Sequence, residues 1–322
     1  MKKRSLTIVI LVILVVIIAV IMVDFLNNRP DRRGKNPYAL DIDQFKEVDP
    51  DLISHKETRN FSLGSLSATG MCYYEEKLYV TGASSMAVIS MDGSSSGTFE
   101  ILPRSTSIIV EKEFILIADS SHVVKYDHDG NLLQEWIDLG ERARVTSMAL
   151  KEDRVYVADA GNRRVVIFNI EGEQIGEFEG KAETEAGHGF IVPSPNFDLV
   201  VNSFGELWVV NPGKHALENY SDDGRMRGFW EHISFDIEGF LGCCNPARIT
   251  VMEDGSFVTS EKGLVRIKIY DQSGKLKSVV APPGLFKEEG KAPDVCVDEA
   301  GNIYALDFDR NVIRIFEPNG NG

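Results

Sequence analysis

The sequence is poor in the residues that most often do chemistry. Its 322 residues hold six histidines and four cysteines. It has no Gly-x-Ser-x-Gly elbow, no phosphate-binding P-loop and no His-Glu-x-x-His, which removes the commonest hydrolase, nucleotide-binding and zinc-protease signatures. Basic residues are also short, with 34 Lys and Arg against 49 Asp and Glu and a net charge of −15. A phosphate backbone needs a basic face, so nucleic acid is not an expected partner. An acidic surface reads first as a solvated one.

Long apolar runs are scarce too. The one present is Leu6 to Val23, preceded by Lys2-Lys3-Arg4. As a helix this run would be about 27 Å long, close to the hydrocarbon thickness of a bilayer. Asp24-Phe25-Leu26-Asn27-Asn28 follows, without an Ala-x-Ala cleavage site or a lipid-accepting cysteine. The reading is an uncleaved signal anchor at 6–23 behind a basic tail at 1–5. The propeller described below would then be outside the cytoplasm. Residues 24–56 carry Pro30, Pro37 and Pro50 among many charges and read as a stalk.

What the chain does have is a repeat. Val155 to Phe168 runs from Val-Tyr-Val through Asp159-Ala160-Gly161-Asn162-Arg163 into a second β-branched run, which is strand, turn, strand. Weaker copies are marked by an aromatic four residues before a glycine: Tyr126/Gly130, Phe168/Gly172, Tyr220/Gly224, Tyr270/Gly274 and Phe316/Gly320, with Ile89/Gly93 a degenerate first member. Turn formers such as Asp127-His128-Asp129 and Asp271-Gln272-Ser273 lie between them, so each pair marks a hairpin tip. Successive glycines are 37, 42, 52, 50 and 46 residues apart, room for four short strands per unit. Six units fit between Ser67 and Asn319, and the sequence predicts an all-β, six-bladed β-propeller over 57–322. The last unit stops after its third strand, Val312 to Phe316. Glu57 to Leu63 would supply the fourth, closing the ring and removing its exposed edges.

The third unit, with Tyr156-Val157-Ala158-Asp159 and Asn162-Arg163-Arg164-Val165, resembles the NHL repeat of six-bladed propellers. The other units keep the hydrophobic frame and drop the polar residues. The resemblance covers about four-fifths of the chain; it implies the fold and leaves the function open, since the family holds binding modules and enzymes alike. Peptide-amidating lyases and gluconolactonase-like hydrolases are related propellers whose central metal is held from inner strands. Inner strands here, such as Ile108-Ile109-Val110, look poor in ligands and hold no histidine, which counts against both enzyme types.

Cys72 and Cys296 fall in the first strands of units one and six and read as small buried hydrophobes, with a disulfide between them conceivable only in suitable geometry. Gly242-Cys243-Cys244-Asn245-Pro246 enters unit five by a loop. Adjacent cysteines there suit thiol redox chemistry or a soft metal ion, and His188 and His215 fall in loops of the same upper face. The spacing is not a standard zinc pattern, and no cofactor is firmly implied. Asn162, Arg163, Arg164, Asn211, Lys214, Glu261, Lys262 and Arg310 would also rise to that face, a surface for a protein, peptide or glycan ligand. The expected function is a membrane-anchored binding or scaffold module. A thiol- or metal-linked redox protein is the alternative, and a metal-dependent lyase or hydrolase a further one.

Overall fold

In a computed structural model, residues 2–27, 42–102, 104–180 and 189–320 are described. They fall into two compact units, 1–42 and 43–322. In the first, a single helix, α1 (Lys2–Asn27), covers the apolar run. Its described side chains, 10–25, are exposed, from Ile10 to Phe25. Among the described residues no helix is long and apolar enough to cross a membrane; the span expected at 6–23 begins before the first described side chain.

The second unit is six four-stranded antiparallel sheets. Blades 1 to 5 take residues 68–100, 107–135, 145–178, 199–231 and 248–281 in simple sequence order. Their inner strands are β2 (Ala68–Tyr74), β6 (Ser107–Val110), β10 (Val145–Lys151), β14 (Leu199–Val201) and β18 (Arg248–Val251), and β22 (Asp294–Val297) is that of blade 6. Each touches the next, and β22 touches β2, so the ring is closed. Closure comes from the chain's start, as expected: β1 (His55–Ser62) pairs antiparallel with β24 (Val312–Pro318), from His55 opposite Pro318 to Ser62 opposite Val312.

Burial explains the strand sequences. Second strands such as β11 (Arg154–Asp159) are covered on both faces, and Val155 through Asp159 are all buried. They therefore read as continuous apolar runs. Outer strands such as β13 (Gln174–Phe178) are largely solvated and carry polar residues and glycine among apolar ones. The tip glycines carry inter-blade packing. Gly172 has φ +82°, and a Cβ there would lie 2.3 Å from the Trp136 ring of blade 2. Phe99, Phe178 and Trp230 repeat the contact at Gly130, Gly224 and Gly274.

The linker boundary moves. Of the stalk expected at 24–56, residues 28–41 lie outside the described residues, and its last part, from Asp43, belongs to the propeller unit. Phe45 stacks on Phe235 at 5.7 Å. Ser54 donates from its main chain to Val279 O and from its hydroxyl to Ser278 Oγ, at 3.0 and 2.8 Å. β1 also begins two residues earlier than expected, at His55.

Candidate functional site at the channel mouth

The same pairing register runs through all six blades and places one residue of each inner strand at an equivalent level of the channel. Gly70 faces Thr81, Ser107 faces Ala118, Ser147 faces Ala158, Arg248 faces Ser260 and Asp294 faces Leu306. Asp198 holds the position in blade 4, its carbonyl accepting from Val210 N. The ring is thus Gly, Ser, Ser, Asp, Arg, Asp, with the arginine between two aspartates. Inner strands are not as poor in polar groups as the sequence suggested. Arg248 Nη1 donates to Thr146 O at 3.0 Å, and its Nε lies 4.0 Å from Asp294 Oδ1. Asp198 accepts from Leu199 N and Ile249 N, and Asp294 from Met71 N. Burial raises both carboxyls above their usual range, while the Arg248 charge pulls them back down.

The residue after the second-strand partner is an acid or amide in five blades: Asp119, Asp159, Asn211, Glu261 and Asp307. Its side chain ties the incoming loop or the following turn to the sheet. Asp159 accepts from Arg144 N, Asn162 N, Asn162 Nδ2 and Arg164 Nε at 2.7–3.2 Å. Asn211 Oδ1 accepts from Ile191 N at 2.9 Å, and Glu261 Oε2 from Leu241 N at 3.2 Å. The turn after Asp159 is tight enough that a Cβ on Gly161 would sit 1.8 Å from Arg142 O.

Several expected contact residues are therefore framework. Asn211 and Glu261 are fully buried and cannot meet a partner. Asn162 and Arg164 complete the Asp159 staple, Arg164 also reaching Glu177 at 2.6 Å. Lys214 pairs with Glu218 at 3.4 Å. Arg310 is exposed but bound to Asp307 and Leu285 O. Arg163 is exposed at φ +57°. Of the eight, only Lys262 reaches the mouth cavity.

That cavity has a volume of about 790 Å³ and takes residues from all six blades. Thr69, Thr106, Thr146, Asn196, Cys243, Arg248, Lys291 and Phe308 are among its walls. Arg248 also lines a second space of about 410 Å³ further along the channel, with Asp198, Asp294, Cys72 and Cys296. All four cysteines are free thiols. Burial pushes the Cys72 thiol up to about 12 and Cys296 well above its ordinary value.

The vicinal pair divides. Cys243 is exposed in the mouth wall, whereas Cys244 is buried at φ +70°. His188 lies outside the described residues. His215 turns its Nδ1 to Asn245 O at 2.8 Å, and among the described residues no three His, Cys, Asp or Glu side chains are grouped to hold a metal ion. The hub of this loop is Asn245, which sequence reasoning passed over. Its amide donates to Leu241 O and Lys262 O and accepts from Lys262 N, at 2.6–3.1 Å.

The sequence matches no protein-family model and no curated protein. Solved structures with a similar fold include a catalytically inactive virginiamycin B lyase from Staphylococcus aureus with quinupristin: 14% identity over 79% of this chain and 81% of that one, TM-score 0.57. The Neurospora crassa Pan2 WD40 domain matches at 10% identity over 85% and 98%, TM-score 0.55. A Bacteroides caccae protein of unknown function matches at 15% over 72% and 83%, TM-score 0.53. At such identities the likeness is one of fold alone.

Proposed function

We propose that this protein is a membrane-anchored, NHL-type propeller, displayed outside the cytoplasm, that binds a partner molecule at the mouth of its channel. The observation that carries the reading is the cavity of about 790 Å³ to which every blade contributes. Its size is that of a ligand site, and its walls are loops and strand ends fixed by the staples described above, so the site is held rigidly before a ligand arrives. The partner classes it suits are a protein loop, a peptide or a glycan. The anchor rests on the apolar run Leu6 to Val23 behind Lys2-Lys3-Arg4.

Cys243 supplies the test, because it is the one exposed cysteine and stands in the cavity wall. With the full-length chain in detergent, components of a membrane extract should slow alkylation of Cys243 by a maleimide. Alkylated protein should in turn fail to retain those components. Identical alkylation rates with and without extract would overturn the reading.

A further inference from the structure

Four cationic side chains, Arg144, Arg248, Lys262 and Lys291, line the mouth cavity against one carboxylate, Glu289. This reverses the balance of a chain whose net charge is −15. Three of the four carry no acidic partner among the described residues. The Arg144 guanidinium donates only to the carbonyls of Glu141 and Ala143, at 3.2 and 2.5 Å. Lys262 Nζ reaches the Ser194 hydroxyl at 3.2 Å. Lys291 is exposed and takes part in no ion pair, although its main-chain N–H donates to Asp309 at 2.8 Å. Elsewhere, buried and half-buried cations such as Lys151 with Asp222, Arg164 with Asp159 and Glu177, and Arg266 and Lys268 with Glu261 are paired, while solvated ones such as Lys56, Lys112 and Arg142 stand apart from one another on the surface. What sets the mouth apart is that three such cations line one cavity with a single carboxylate among its walls.

From this we infer that the mouth takes an acidic peptide segment, its carboxylates facing Arg144, Lys262 and Lys291 around the rim. The inference rests on the mouth being a binding site. A long polyanion would be repelled by the acidic body around the rim, which favours a short acidic stretch. Aromatic faces, on which sugar rings stack, are nearly absent from the lining, Phe308 being the one present. Ala68, Val145, Pro195 and Phe308 instead give small apolar surfaces of the kind that cover a peptide's aliphatic stems.

The experiment measures the anisotropy of fluorescein-labelled tetraglutamate added to the full-length chain, with tetraglutamine, tripolyphosphate and oligogalacturonate as comparators. Tetraglutamate should bind at least about tenfold more tightly than tetraglutamine and weaken as salt is raised. It should also slow Cys243 alkylation. The triple change Arg144→Gln, Lys262→Gln, Lys291→Gln should cost about tenfold, the sum of three exposed pairs. Lys291→Gln alone, at an exposed site, should flatten the salt dependence if the triple variant folds poorly. Equal binding of tetraglutamine, indifference to these changes, or preference for the phosphate or the sugar would overturn the inference. Protection of Cys243 by membrane extract but not by tetraglutamate would sink this inference and leave the binding site standing. Protection by neither would sink both.

Discussion

Glu261, Arg266 and Lys268 are fully buried together in blade 5. Glu261 holds Arg266 at 2.8 Å and Lys268 at 2.9 Å. The entry loop of the blade closes over them: Lys268 Nζ donates to Ile237 O and Gly239 O, Arg266 to Gly239 O, and Tyr270 to Glu238 O. Lys268 also faces the Phe240 and Tyr270 rings, at 4.8 and 5.1 Å. The cluster carries one more positive than negative charge, and burial lowers Lys268 to about 8 from 10.5 despite Glu261. Between those values the unfolded chain holds a proton that the folded one has released, so stability must rise with pH across that window. Expected is a gain of up to about 3 kcal/mol between pH 8 and 10.5 in wild type relative to Lys268→Met. Comparing urea midpoints of the two proteins cancels the contribution of the buried tyrosines. Parallel pH profiles would show that Lys268 stays charged. Sequence reasoning placed Glu261 on a binding face because the repeat topology carries the loop Ser260-Glu261-Lys262-Gly263 to the upper face. Nothing in the local pattern shows that residues 236–240 fold back over it.

At the scale of elements, the ring depends on β1 adding to β24. Ladder hydrogen bonds along seven paired positions give that contact its register, broken by a bulge between Glu57 and Arg59. Arg314 then locks it from the side, donating from Nε and Nη2 to both oxygens of Glu57, at 3.0 and 2.5 Å, and from Nη1 to Leu285 O. The Arg314 side chain is 6% exposed and lies over the Phe286 and Phe316 rings. Removing the Glu57 charge strands a buried guanidinium, leaving it Asp307 at 3.6 Å. Glu57→Gln should therefore cost about 2–3 kcal/mol in urea unfolding with the slope unchanged. A steeper loss, with aggregation, would mean that the blade edge opens before the rest unfolds. The blade count, the hairpin tips and this closure were legible in the sequence because each rests on local turn chemistry and β-branched runs. The Asp159 staple was half legible: Asp159, Asn162 and Arg164 stood out, but their hydrogen bonds turn inward to the frame. The Asp198, Arg248 and Asp294 level was hidden, since it appears only when six inner strands are aligned through their pairing partners and neighbouring blades are brought around the ring.

For the whole molecule, the division at residue 42 separates the apolar helix from every strand of the propeller. Every propeller strand finds its ladder partners within the six sheets of the second unit, so the proposed membrane attachment and folding should be separable. Deleting residues 2–27 should release the protein from carbonate-washed membranes while leaving the β-sheet circular dichroism and the urea midpoint of the remaining chain unchanged. A shared loss of both would mean that the first unit is part of the fold. Orientation can be read from the same exposed thiol that reports on the mouth. A membrane-impermeant maleimide added to intact cells should label the wild type and not Cys243→Ser, because Cys72 is only partly exposed with its thiol held neutral, and Cys244 and Cys296 are buried. Labelling that appears only after the cells are opened would place the propeller on the cytoplasmic side. The mouth and its cationic rim would then face a different set of acidic partners, with the chemistry of the site itself unchanged.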